Sequence, residues 1–140
     1  MIMDNYTKFA KKNITNNAKY FFHISNILLI IFYLYPGSIL GCFLYNDCGI
    51  QPQITRDFII ISSNHVYVFS IISLIGLIAY SEKKSLHKIV IYLFFISFFL
   101  ELAHLYVPER GFEKKDLAGN VAGVVISLII FKIVKFRKKK

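Results

Sequence analysis

Two sets of polar residues at helical spacing hold most of the chemistry this sequence offers. Ser97, Glu101, His104 and Pro108 recur at i, i+4, i+7 and i+11, and Asp116, Asn120, Gly123 and Ser127 repeat those intervals. Each set therefore lies along one stripe of a helix. Glu101 and His104, one turn apart, are the residue types of a general base and its partner. They also form Glu-x-x-His, half of the motif that di-iron helix bundles use twice. The pair occurs once, without further carboxylates to complete it, and Cys42 and Cys48 alone make no thiol framework. No metal and no cofactor is expected. Arg110 stands between the stripes, and a guanidinium grips a phosphate or carboxylate through two parallel N–H bonds. Asp116 is placed to cap the helix that carries the second stripe. There is no nucleophile elbow, Walker loop or zinc-protease motif. Binding is the expected role, and nothing demands an enzyme.

These residues need elements to hold them, and the composition says what surrounds those elements. The chain has 140 residues, 56% of them apolar, with a mean hydropathy of +0.54. That is wrong for a soluble domain and right for a bilayer. A hydrocarbon core of about 30 Å takes roughly 20 helical residues. Four runs of that order lie between charges: Tyr20 to about Leu40, Phe58 to Tyr80, Ile89 to Val107 with Glu101 inside it, and Leu117 to Val134. The last spans if Lys132 snorkels its ammonium to the headgroups. Isolated strands leave their backbone unsatisfied in lipid, so the spans are helices. The predicted fold is all-α, an integral membrane four-helix bundle over residues 20–134, flanked by basic tails at 1–19 and 135–140.

The formal charge of +9 raises the question of nucleic acid, but the basic residues sit at the ends of the apolar runs rather than in a patch. No nucleic-acid partner is expected. Lys8, Lys11, Lys12, Lys19, Lys83, Lys84, Lys88 and the six basic residues from Lys132 onward fall on one side of the four-span topology. Only Arg56, Arg110, Lys114 and Lys115 fall on the other, which also takes six of the eight acids. This bias places both termini in the cytoplasm. The run Lys135 to Lys140 reads as a basic stop held by anionic lipid. Ile39-Leu40-Gly41-Cys42 comes close to a lipoprotein cleavage box, but the apolar run before it exceeds the about 7 to 15 residues of a signal segment. A disulfide between Cys42 and Cys48 across the outer end of the first span is one alternative, and two independent thiols are the leading expectation.

In that topology the polar residues share a depth. The second span enters from outside, so Asn64 and His65 lie about two turns in, roughly 10 Å below the surface. Glu101 reaches a similar depth on the way out. The expectation is a polar layer of Asn64 or His65, Glu101, His104 and Asn120, roofed by Arg110. An ionised Glu101 needs a cation, with His104 and Arg110 the nearest by sequence. Gly119 with Gly123, and Ala118 with Ala122, have the small-xxx-small spacing that lets membrane helices pack closely.

The segment Glu101-Leu-Ala-His104-Leu-Tyr-Val-Pro108-Glu-Arg110 and its continuation through Asp116, Asn120 and Gly123 resembles the signature of the VanZ-like family. That signature has a Glu late in a membrane helix, Pro and Arg in a short loop, then Asp, Asn and Gly opening the last helix. Leu34-Tyr35-Pro36-Gly37-Ser38 is similar to the end of the family's first helix. His104 replaces a frequent Gln, and the second span opens Asn64-His65-Val66-Tyr67-Val68 where the family commonly has Asp-Lys-x-x-His. The resemblance implies a four-span protein of the bacterial cytoplasmic membrane and a link to teicoplanin-type resistance.

Three functions compete at this point. In the leading one, an envelope protein binds an anionic lipid or lipid-linked precursor through Glu101, His104, Arg110, Asp116, Asn120, Asn64 and His65. In the second, an intramembrane enzyme acts on such a precursor, with Glu101 as base and His104 as its partner. In the third, the bundle is structural, or a subunit of a larger complex.

Overall fold

Pro36 and Gly37 divide what the hydropathy pattern presents as a single span. Proline lacks the N–H a helix interior needs and disfavours helical geometry at Tyr35 before it, while Gly37 adopts a left-handed φ of 76°. The computed structural model, which describes residues 2–137, accordingly has a long helix α1 (Ile2–Leu34) followed by a short α2 (Ile39–Tyr45). Ser38 caps α2, its Oγ accepting from Gly41 N at 3.0 Å, and Asn46 ends it in the left-handed region. The predicted basic tail 1–19 is helical from Ile2, since no Pro or Gly interrupts the chain before Pro36. The remaining helices are α3 (Ser63–Ala79), α4 (Lys83–Ala103) with a 3-10 turn over His104–Tyr106, and α5 (Lys114–Arg137). The predicted C-terminal tail begins inside α5, and residues 138–140 of it lie outside the described residues.

The described residues contain helices and no strands. Three helices are long and apolar enough to cross a membrane, over Asn13–Leu34, Lys84–Tyr106 and Lys114–Arg137. The second predicted span, Phe58 to Tyr80, forms a helix shorter than its apolar run. Phe58–Ser62 stays non-helical because Asp57 Oδ1 accepts from Ser63 N at 3.0 Å and Ser62 N donates to the Lys115 carbonyl at 3.2 Å. Helix α3 therefore keeps 17 residues, about 25 Å at the helical rise.

Contacts along α3 show how the bundle is assembled. Its N-terminus meets the C-terminal end of α1 and the N-terminus of α5, so it runs antiparallel to α1 and parallel to α5. The α3–α5 seam is close because α5 offers glycines. A Cβ at Gly119 would stand 2.7 Å from Ser62 O, and one at Gly123 2.7 Å from Val66 O. The small-xxx-small pair seen in the sequence is this seam. Ser127 Oγ reaches across it to Ser70 O at 2.8 Å. Phe69, Leu77, Leu93, Leu100 and Val124 fill the core, while Ile27, Phe95, Phe99, Ile129 and Ile133 project outward, as a helix surface facing hydrocarbon requires.

Cys42 and Cys48 are joined, which corrects the expectation of two free thiols. The cause is local: Asn46 turns the chain back, and Ser38 N donates to Cys48 O at 2.7 Å, bringing residue 48 beside α2.

Candidate functional site

The C-terminal ends of α1 and α4 and the N-terminal ends of α3 and α5 meet at one end of the bundle, and the polar residues of four elements converge there. Asn120 is its centre. The wholly buried amide donates through Nδ2 to Ser97 O at 3.1 Å, which turns Oδ1 toward α1 and α3. There Oδ1 accepts from the Tyr33 hydroxyl at 2.6 Å and lies 2.9 Å from His65 Nδ1. With two acceptor oxygens beside it, His65 Nδ1 carries the ring proton, and Nε2 points to Asp116 Oδ2, 3.3 Å away.

Glu101 is 0% exposed. Its Oε1 accepts from Glu113 N at 2.9 Å, just ahead of α5, and lies 3.5 Å from His104 Nδ1. Its Oε2 is buried without a partner. The expected rescue by a nearby cation is therefore only half present: His104 stands next to Glu101, but Arg110 makes no ion pair with it among the described residues. His104 Nε2 donates to the Tyr33 carbonyl at 3.0 Å, and the two rings stack 5.2 Å apart.

Asn64 does not join this layer, where only His65 of the two adjacent residues reaches Asn120, but it lines the cleft beside it. Helix α3 turns Asn64 toward the preceding loop, where Nδ2 donates to Pro52 O at 2.7 Å and Oδ1 accepts from Ile54 N at 2.9 Å. Tyr33, in contrast, was not singled out by sequence. It sits among Asn120, His65 and His104, and a hydroxyl-bearing aromatic late in the first apolar run is the one signal that marks it.

Beside the layer, α1, α2, α3 and the loop after α2 enclose a cleft of about 600 Å³. Leu28, Leu29 and Phe32 of α1, with Val68, Ile71 and Ile72 of α3, form its apolar walls. His65, His104, Arg110, Gln51 and Ser38 line its polar end. Arg110 Nε is buried and without a partner, and Nη1 reaches Gln51 Oε1 at only 3.5 Å. Glu101 is not among the lining residues. Outside the layer, Asp57 pairs with Lys115 at 3.1 Å. The Ser63 N–H first, and then the Lys115 ammonium, hold the Asp57 carboxyl below its ordinary pKa.

The model of the VanZ/LLP1 family matches residues 2–135. The chain belongs to the VanZ/LLP1 family. No curated protein and no solved structure matches it. In this VanZ/LLP1 protein the motif residues Glu101, Asp116 and Asn120 belong to one layer at one end of the bundle, joined by His65 and His104. Three apolar helices of spanning length accord with a membrane protein of this family.

Proposed function

We propose that this VanZ/LLP1 protein sits in the bacterial cytoplasmic membrane and binds an anionic lipid or lipid-linked envelope precursor. The chain of the lipid lies in the cleft between α1 and α3 and its phosphate at the polar end. The observation that carries this reading is the Arg110 guanidinium, whose buried Nε has no partner, at the end of a cleft with apolar walls. From Ser25 to Tyr33 the wall runs about 12 Å along α1, enough for a substantial length of hydrocarbon. A guanidinium with free N–H groups next to such a wall matches a phosphate-headed lipid. Binding is favoured over catalysis by Glu101, because Glu101 does not line the cleft and its Oε1 is committed to Glu113 N.

The orientation belongs to the same proposal. Helices α1, α3, α4 and α5 are the four spans, both termini are cytoplasmic, and the polar layer lies in the outer leaflet. The Lys/Arg bias supports this, and so does the Cys42–Cys48 disulfide, a bond that persists in the oxidising space outside the cytoplasm. A contribution to teicoplanin-type resistance would follow if the bound lipid is a cell-wall precursor carrier.

Thermal stabilisation in detergent tests the binding. A polyprenyl phosphate should raise the melting temperature of the native protein and not that of Arg110→Ala, while the uncharged polyprenol leaves both unchanged. Equal stabilisation of the native protein and Arg110→Ala would remove Arg110 from the site.

A further inference from the structure

The geometry points to a divalent metal site formed by His65, Glu101 and Asp116, of the kind that takes a first-row transition ion such as Zn²⁺ or Mn²⁺. One ligand atom from each of the three lies within 4.8 Å of the others. A tetrahedral centre with bonds of about 2.0–2.2 Å sets its ligand atoms roughly 3.4 Å apart. His65 Nε2 and Asp116 Oδ2, at 3.3 Å, already have that separation, and the nearest Glu101 oxygen lies within 4.8 Å of its neighbours in the trio. One imidazole with two carboxylates is a donor set for a borderline to hard ion, with coordination positions left for water or a ligand.

Two further observations support the site. The first is the tautomer. Asn120 and Tyr33 hold the proton on His65 Nδ1, so in the neutral ring the Nε2 lone pair faces the Asp116 carboxylate. Two acceptors 3.3 Å apart repel unless a cation lies between them, and a metal-bound histidine is oriented in this way, by a hydrogen bond at its other nitrogen. The second is the orphaned oxygen. Glu101 is wholly buried with Oε2 unpartnered, and a carboxylate oxygen without a donor in such a place is costly. A divalent ion answers both carboxylates together. Asp116, 19% exposed at its side chain, leaves a way in. His104 is outside the trio: its Nε2 donates to the Tyr33 carbonyl, and its Nδ1 lies 3.5 Å from Glu101 Oε1. The Glu-x-x-His pair visible in the sequence is thus replaced by a trio drawn from three helices. This inference stands apart from lipid binding, although His65 also borders the cleft.

The test uses Co²⁺ as an optical probe and Zn²⁺ for stoichiometry, in the detergent-solubilised full chain. His23→Gln and His87→Gln are introduced first, to remove the histidines at the other end of the bundle. The expected result is one tightly held Zn²⁺ per chain, with Co²⁺ giving visible d–d bands that Zn²⁺ abolishes. Asp116→Asn and His65→Gln should each weaken binding at least tenfold, and His104→Gln should leave it within about twofold. Absence of Co²⁺ bands beyond those of the free ion in micelles overturns the proposal, even if a variant does not fold, and leaves two histidine–carboxylate contacts instead. Unchanged binding in folded Asp116→Asn overturns it as well.

Discussion

If Asn120 is the centre of the layer, the Asn120→Ala and Tyr33→Phe substitutions must be costly and must not add. Asn120→Ala removes three hydrogen bonds: to Ser97 O, from the Tyr33 hydroxyl and from His65 Nδ1. At about 0.6 kcal/mol for an average hydrogen bond between membrane helices, this comes to roughly 2 kcal/mol. The missing amide also leaves a cavity of ~25 Å³, adding about 0.6 kcal/mol. Tyr33→Phe keeps the ring and removes only the hydroxyl. Asn120 Oδ1 and His65 Nδ1 then still have each other at 2.9 Å, so the cost is about 1 kcal/mol. In the Asn120→Ala background the hydroxyl has lost its Asn120 acceptor and keeps only its contact with His65 Nδ1, so removing it should cost less than in the native protein. The double variant should therefore fall short of additivity by about 0.6 kcal/mol, the worth of the Tyr33–Asn120 bond that both single variants lose. Reversible unfolding by SDS titration in mixed micelles gives all four free energies. Additive costs, or an Asn120→Ala variant within about 0.5 kcal/mol of the native protein, would refute the network as described.

Three other outcomes follow from the geometry. Gly123→Ala should destabilise by about 1–3 kcal/mol in the same titration, because its Cβ meets Val66 O at 2.7 Å and the gain in helix propensity does not offset that clash. Asp57→Ala should cost about 1 kcal/mol at neutral pH by uncapping α3. Since the folded pKa of Asp57 is lowered, its contribution is present above the ordinary value of 3.8 and is lost as pH falls through the folded value, so the difference from Asp57→Asn should vanish in acid. Maleimide should label Cys42 and Cys48 only after reduction, and labelling without a reductant would contradict the disulfide.

Much of this arrangement is legible in the sequence. The helical stripes placed Glu101, His104, Asp116 and Asn120 at one end, and the Gly119/Gly123 spacing anticipated a close helix pair. The side of α3 that faces the layer could not be read, because Asn64 and His65 are adjacent and only the packing of α3 on α5 decides between them. Tyr33 escaped notice because an aromatic in an apolar run looks like core until its hydroxyl finds a partner 87 residues away. The break at Pro36 is local, set by the proline and the left-handed Gly37. The late start of α3 and the disulfide, in contrast, share a cause: both depend on how the loop between α2 and α3 folds back, through Asp57 to Ser63 and Cys48 to Ser38, and periodicity says nothing about loops. The metal-ligand geometry was hidden for a related reason: its three residues come from separate helices, whereas the sequence displays the neighbours Glu101 and His104.

The most direct test of the central claim is native mass spectrometry of the protein extracted from a bacterial membrane, beside Arg110→Ala purified in the same way. A bound anionic lipid should occupy the cleft through its phosphate, held by the Arg110 guanidinium. The native protein should carry a discrete adduct with the mass of a phosphate-bearing lipid, lost in Arg110→Ala while the melting temperature is retained. A native protein that carries no lipid adduct, or an adduct that persists unchanged in Arg110→Ala, would contradict it.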